Sequence, residues 1–170
     1  FNRIVDRHID AKNPRTKDRE IPAGKVDLKS AWTFTVLSLV LFVLVAFWIN
    51  PLCGFLSPVA MLFTLGYSFS KRFTFLCHFL LGLSIGIAPA GAWIAVRERI
   101  ELLPVLWSLA LMFYIAGFDI LYACMDIDFD RSSGIFSIPA RFGAARALWV
   151  ARLSHVISFS CMLYTGILSH

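Results

Sequence analysis

The sequence predicts an all-α fold, a multi-pass transmembrane helical bundle. Three observations carry that prediction. Of the 170 residues, 58% are hydrophobic and only 16% charged, against about 25% charged residues in average soluble domains. The apolar residues gather into five runs, each near the ~20 residues that cross a ~30 Å hydrocarbon core. The acidic residues concentrate at two places, Asn2–Asp10 and Asp119–Asp130, each beside an apolar run.

Residues 1–30 are polar and basic. Residues 1–12 read as helical, Asn13-Pro14 breaks that helix, and Ile21-Pro22-Ala23-Gly24 makes a turn. Asp27 is a candidate N-cap for the next helix, with Ser30 as its competitor. The spans then run over Ala31–Ile49, Leu52–Ser70, Phe73–Val96, Leu102–Cys124 and Leu148–Leu168. Asn50-Pro51 leaves room only for a tight turn, so the first two spans form an antiparallel hairpin. Gly82 and Gly86 in the third span permit close helix contact, and Pro89 kinks it.

Charge placement sets the topology. Eight Lys/Arg precede the first span, and Lys71, Arg72, Arg131, Arg141 and Arg146 fall in two later connections. Arg97 and Arg99 lie on the opposite side. Positive loops mark the cytoplasmic face. Residues 1–30, 71–72 and 125–147 are therefore expected there, and 97–101 outside. Four crossings separate the two acidic motifs, so both emerge on one face. The basic residues follow this topology, so the net charge of +5 does not point to nucleic acid. The partner it implies is the lipid bilayer.

Cys53, Cys77, Cys124 and Cys161 are scattered without a CxxC pair and read as small packing residues. His8, His78, His155 and His170 show no metal-ligand spacing, and His8 reads as a surface residue.

The acidic motifs carry the chemistry. On a helix, Asn2, Asp6 and Asp10 form one stripe at i, i+4, i+8. Like charges at this spacing repel, so a cation over the stripe would stabilise it. Asp119, Asp126 and Asp130 fall within about 20° of one line at about 100° per residue, with Asp128 on the opposite side. Carboxylate oxygens suit Mg²⁺, which shares its coordination shell with phosphate. Asp119 stands inside an apolar segment, where an ionisable residue usually faces a polar cavity. Lys71, Arg72, Arg3, Arg7, Arg15 and Arg19 read equally as topology anchors and as electrostatic support for a diphosphate.

These residues resemble the motifs of the UbiA superfamily of intramembrane aromatic prenyltransferases. Asn2-Arg3-Ile4-Val5-Asp6-Arg7-His8-Ile9-Asp10 is similar to the family's NDxxDxxxD motif, with Arg3 where the family has its first Asp. Arg15-Thr16, Arg19, Pro22 and Gly24 resemble RTxxRxxPxG. Tyr67, Lys71 and Arg72 resemble YxxxKR, and Asp119, Asp126 and Asp130 the second aspartate motif. Gly134 to Gly143 resembles the segment that follows it. The wording is similar to the 4-hydroxybenzoate polyprenyltransferase-like branch, which includes members assigned to menaquinone synthesis.

The resemblance implies a fold of about nine transmembrane helices. The five spans here would be helices three to seven, and the chain a fragment of one prenyltransferase domain without a signal peptide. It also implies Mg²⁺-dependent transfer of a polyprenyl group from polyprenyl diphosphate to an aromatic acid acceptor, 4-hydroxybenzoate or a hydroxynaphthoate, in ubiquinone or menaquinone synthesis. Asp6, Asp10, Asp126 and Asp130 would hold the metal. Asn2, Arg15, Arg19, Tyr67, Lys71 and Arg72 would bind the diphosphate. Lys71 would also stabilise the leaving group, and Asp119 would act as base or metal ligand. The setting would be the bacterial inner membrane with a cytoplasm-facing site, or the mitochondrial inner membrane in a eukaryote. Other UbiA-type acceptors (haem, a chlorophyll precursor, glycerol phosphate) and a divalent-cation transporter are the alternative readings. A soluble prenyl-chain synthase is excluded by the five spans.

Overall fold

The computed structural model describes residues 1–169; His170, among the histidines considered above, lies outside the described residues. It contains five helices long and apolar enough to cross a membrane: Leu28–Ile49, Pro51–Ser70, Cys77–Arg97, Leu102–Ser132 and Ala144–Leu168. The chain is a multi-pass membrane protein.

The short helices α1 (Asn2–Val5) and α2 (Arg7–Asp10) meet at Asp6, whose φ of −89° and ψ of 0° interrupt the expected single helix. The i to i−4 bonds from Asp6 N–H to Asn2 and from Asp10 N–H to Asp6 survive the break, so the acidic stripe stays in line. Of the two candidate caps, Asp27 starts α3 (Leu28–Ile49): its carboxylate accepts from Ser30 N–H at 2.9 Å. Asn50 turns the hairpin into α4 (Pro51–Ser70) by accepting from Cys53 N–H at 2.8 Å. Its amide also donates to the Ile94 and Ala95 carbonyls at 3.0 and 3.3 Å. One buried side chain thus ties the hairpin to the far end of the third span.

The third span begins later than the sequence suggests, at Cys77 rather than Phe73. Residues 71–76 form turns instead, closed by Phe73 and Thr74 N–H bonds to Ser70 and by Leu76 N–H on Thr74 Oγ1. It runs as α5 (Cys77–Gly86) and α6 (Ala88–Arg97), parted at Ile87 ahead of Pro89. Ala90 N–H donates to Ser108 Oγ on the neighbouring helix at 3.1 Å. A backbone group freed in apolar surroundings thus finds a partner across the interface.

Close packing positions α5 against α7 (Leu102–Ala123). A Cβ on Gly82 would lie 2.3 Å from the Met112 carbonyl oxygen, and one on Gly86 2.8 Å from that of Ser108. The expected glycine contact is therefore made, and it leaves no room for a side chain. On its other side α7 meets α10 (Ala144–Leu168), where a Cβ on Gly117 would lie 3.1 Å from the Ala151 carbonyl oxygen, and Ala110, Ala147 and Ala151 are at most 1% exposed. Ser158 Oγ donates to the Ala110 carbonyl across this seam at 2.7 Å.

Between α7 and α10 the sequence reading left one connection. The structure fills it with a 3₁₀ turn (Cys124–Asp126), α8 (Ile127–Ser132) and α9 (Ile138–Phe142). Ser137 caps α9, and Arg141 stacks on the Phe75 ring at 4.7 Å. These short elements cover the same end of the bundle as α1 and α2.

Candidate functional site

That end encloses a cavity of about 510 Å³. Its mouth is polar, built from α1, α2 and the loop after them, the 71–77 turn and the segment 119–137. Farther along α5 and toward the middle of α7, the walls are Leu81, Ile85, Ile115 and Phe118. The cavity therefore offers charge at the membrane surface and an apolar wall toward the interior.

The structure brings together residues from both acidic motifs. Asn2, Asp6, Asp10, Asp119, Asp126 and Asp130 all line the cavity. Asp128 does not, and is exposed. Tyr67, Lys71, Arg15 and Arg19 also line it. Arg72, also expected at the diphosphate, is not on the cavity wall. It lies behind Asp6, where its guanidinium donates to the Ser68 and Val5 carbonyls at 2.9 and 3.0 Å and to Asp6 Oδ1 at 3.1 Å. Neighbours in a turn project apart, so Lys71 faces the cavity and Arg72 braces its wall.

Each buried acid has a partner, as burial of charge requires. Asp6, 1% exposed, meets Lys71 Nζ at 2.6 Å and Asn2 Nδ2 at 2.8 Å. Asp10 takes two bonds from Arg19 Nη1, at 2.9 and 3.0 Å. Asp126 accepts from Asn13 Nδ2 at 3.1 Å and from Arg15 Nε at 3.0 and 3.1 Å, with Arg15 Nη2 also on Oδ2. This fork joins the loop after the first motif to the second motif, 111 residues later. The hydrogen bond to Asp126, followed by charge attraction, raises the Arg15 pKa above its ordinary value, against an opposing loss of solvation. Asp130 accepts from Ser137 Oγ at 2.8 Å.

His78 is the residue that sequence reasoning missed. It is 2% exposed, lines the cavity, and its Nδ1 lies 2.7 Å from Asp119 Oδ2. Its one sequence signal was a polar ring inside an apolar run. Asn13, Thr16 and Ser137 were also missed as cavity residues. Ser68 Oγ, buried on the cavity wall, has no protein partner.

The donor set can be tested against Mg²⁺. Five carboxylates line the cavity with three cationic side chains, Arg15, Arg19 and Lys71. A diphosphate would add negative charge to this acidic site, which divalent cations would offset. Among the described residues, no three carboxylate, imidazole or thiol groups converge on a single ion position. The carboxylates that line the cavity are of the oxygen type Mg²⁺ takes, one or two at a time with water and phosphate completing its shell.

Comparisons with known proteins agree with this architecture. A structure described as an apo UbiA homolog from Aeropyrum pernix K1 superposes with a TM-score of 0.89 at 34% identity, over 94% of this chain and 61% of that one. A digeranylgeranylglyceryl phosphate synthase structure, 24% identical, shares the fold at a TM-score of 0.71 over 99% of this chain and 59% of its own. The 4-hydroxybenzoate octaprenyltransferase of Serratia proteamaculans is 36% identical over 99% of this chain and 58% of its own length. That of Vibrio cholerae is 36% identical over 84% of this chain and 50% of its own. The chain thus spans between half and three fifths of the length of these two relatives. The model of the UbiA prenyltransferase family matches residues 1–170, and the chain belongs to that family.

Proposed function

We propose that the full-length protein transfers a polyprenyl group from polyprenyl diphosphate to an aromatic acid, 4-hydroxybenzoate or a hydroxynaphthoate, in quinone synthesis. The observation that carries this reading is the meeting of two acidic motifs and Lys71 in one cavity whose inner wall is apolar. A diphosphate needs the first and a long isoprenoid tail needs the second. The 4-hydroxybenzoate octaprenyltransferase relatives support the aromatic acceptor. Basic residues at this end of the bundle support a cytoplasm-facing site.

Asp6, Asp10, Asp126 and Asp130, with Asn2 beside Asp6, would hold Mg²⁺, which when bound neutralises charge on the diphosphate. Lys71 meets the charge that grows on the leaving diphosphate as the allylic C–O bond breaks. Arg15 and Arg19 hold Asp126 and Asp10 in place and add positive charge at the mouth. The electron pair of the broken bond leaves on the diphosphate. The ring carbon beside the acceptor hydroxyl then bonds the allylic carbon, and Asp119 accepts the proton that the acceptor loses. Leu81, Ile85, Ile115 and Phe118 keep water from the cation, which would otherwise be quenched to an alcohol.

Replacing Asp6 or Asp126 by Ala in the full-length protein should abolish Mg²⁺-dependent incorporation of labelled prenyl diphosphate into the aromatic acid. Full activity in either variant would sink the assignment. Products formed from 4-hydroxybenzoate and dihydroxynaphthoates in competition, identified by mass spectrometry, name the acceptor. Metal flux through liposomes without prenyl diphosphate would instead favour transport.

A further inference from the structure

We propose that His78, clamped by the backbone of Ile138, is the positioning residue that fixes the Asp119 carboxylate toward the acceptor. This rests on the role given to Asp119 above. The Ile138 amide can only donate, and it meets His78 Nε2 at 3.2 Å. Nε2 therefore offers its lone pair. The ring proton sits on Nδ1, 2.7 Å from Asp119 Oδ2. The imidazole is thus held as one neutral tautomer that donates to the carboxylate. One Asp119 oxygen is occupied, and the other is left for the cavity.

The clamp belongs to a larger brace. Phe136 N–H donates to the Lys71 carbonyl at 2.8 Å, and Cys77 Sγ to the Phe136 carbonyl at 3.3 Å. Ser137 Oγ donates to Asp130 at 2.8 Å. Three consecutive residues therefore set the positions of Lys71, Asp130 and, through His78, Asp119. Ile138 is 3% exposed in the core cluster with Ile120, Ala147 and Ala151. The brace is anchored in the buried core of the bundle, so the Asp119 carboxylate inherits a fixed position. A loop alone would not supply it.

Asp119 has a hydrogen-bond donor beside it and no Lys or Arg partner, unlike Asp6 and Asp10, whose charges are met by Lys71 and Arg19.

The test is a double-mutant cycle in full-length protein, measured with labelled prenyl diphosphate and the aromatic acid. His78→Leu should lower kcat on the order of 10- to 100-fold, with KM for prenyl diphosphate changed by less than about twofold. His78→Asn, which keeps a donor on the Nδ1 side, should recover most of the loss. In an Asp119→Asn background, His78→Leu should cost little more. Wild-type kcat in His78→Leu, no rescue by Asn, or losses that multiply in the double variant would each overturn the proposal. Should His78→Leu fail to accumulate in membranes, the same cycle with His78→Gln decides. A loss confined to the Asp119 background supports the proposal, and a multiplied or absent loss refutes it. Full turnover in Asp119→Asn would fault the role given to Asp119 itself, a different failure from an inert His78.

Discussion

The two acidic motifs differ in how their charge is held. In the first, Asp6 sits against Lys71 and Arg72, and Asp10 against Arg19. In the second, only Asp126 has a cationic side chain, Arg15; Asp130 rests on the Ser137 hydroxyl and Asp119 on His78. Cations balance one half of the cavity mouth, and the other half keeps net negative charge. A divalent ion entering with the proposed diphosphate substrate would find its strongest attraction on the second motif. On the first, it must share carboxylates that already hold partners.

Substitutions at Lys71, Arg72 and Arg3 break that contrast to different extents. The largest effect is expected at Lys71, which faces the cavity and holds Asp6. Lys71→Ala should reduce turnover by about 100-fold or more, as lost electrostatic stabilisation of a leaving group does. A smaller effect is expected at its neighbour. Arg72→Ala removes a brace behind Asp6 but leaves Lys71 in place. It should cost about 1–2 kcal/mol of stability, discounted for a side chain that is 36% exposed. Its kcat should change by no more than about threefold, since only orientation of Asp6 is affected. Equal kinetic losses in the two variants would show that Arg72 reaches the diphosphate. The smallest effect is expected at the Arg3–Glu20 pair, 49% and 59% exposed. Arg3→Ala should leave turnover within about twofold of wild type, as exposed pairs contribute little. A larger drop would give the first motif a further functional cation at the position where the family has an Asp.

What the sequence made legible follows from distance along the chain. The stripe of Asn2, Asp6 and Asp10 depends on one helical period and was readable. The interruption at Asp6 was not, because the ladder bonds continue through it. The phase of Asp119, Asp126 and Asp130 was readable although a 3₁₀ turn intervenes, since all three still reach the cavity. The Asn50-Pro51 hairpin and the Gly82–Gly86 contact are local signals and were also readable. His78 pairs with a residue 41 positions away, a juxtaposition that exists only once α5 has packed on α7. Arg72 was grouped with Lys71 because they are adjacent, and only the turn separates them in space. The late start of the third span was hidden by apolar residues at 73–76, which continue the hydrophobic run while the backbone turns.

The break at Ile87 has a consequence for how this protein tolerates change. Ala90 N–H is satisfied by Ser108 Oγ of another helix. Ser108 is thus neutral-looking by itself and necessary because Pro89 follows the break. Ser108→Ala with Pro89 present leaves an amide bare in an apolar setting. With a residue at 89 that lets the helix continue, Ala90 N–H regains its own ladder partner and Ser108→Ala becomes nearly silent. The size of a substitution's effect at one site is therefore set by the residue at the other, and the two positions constrain each other as a pair.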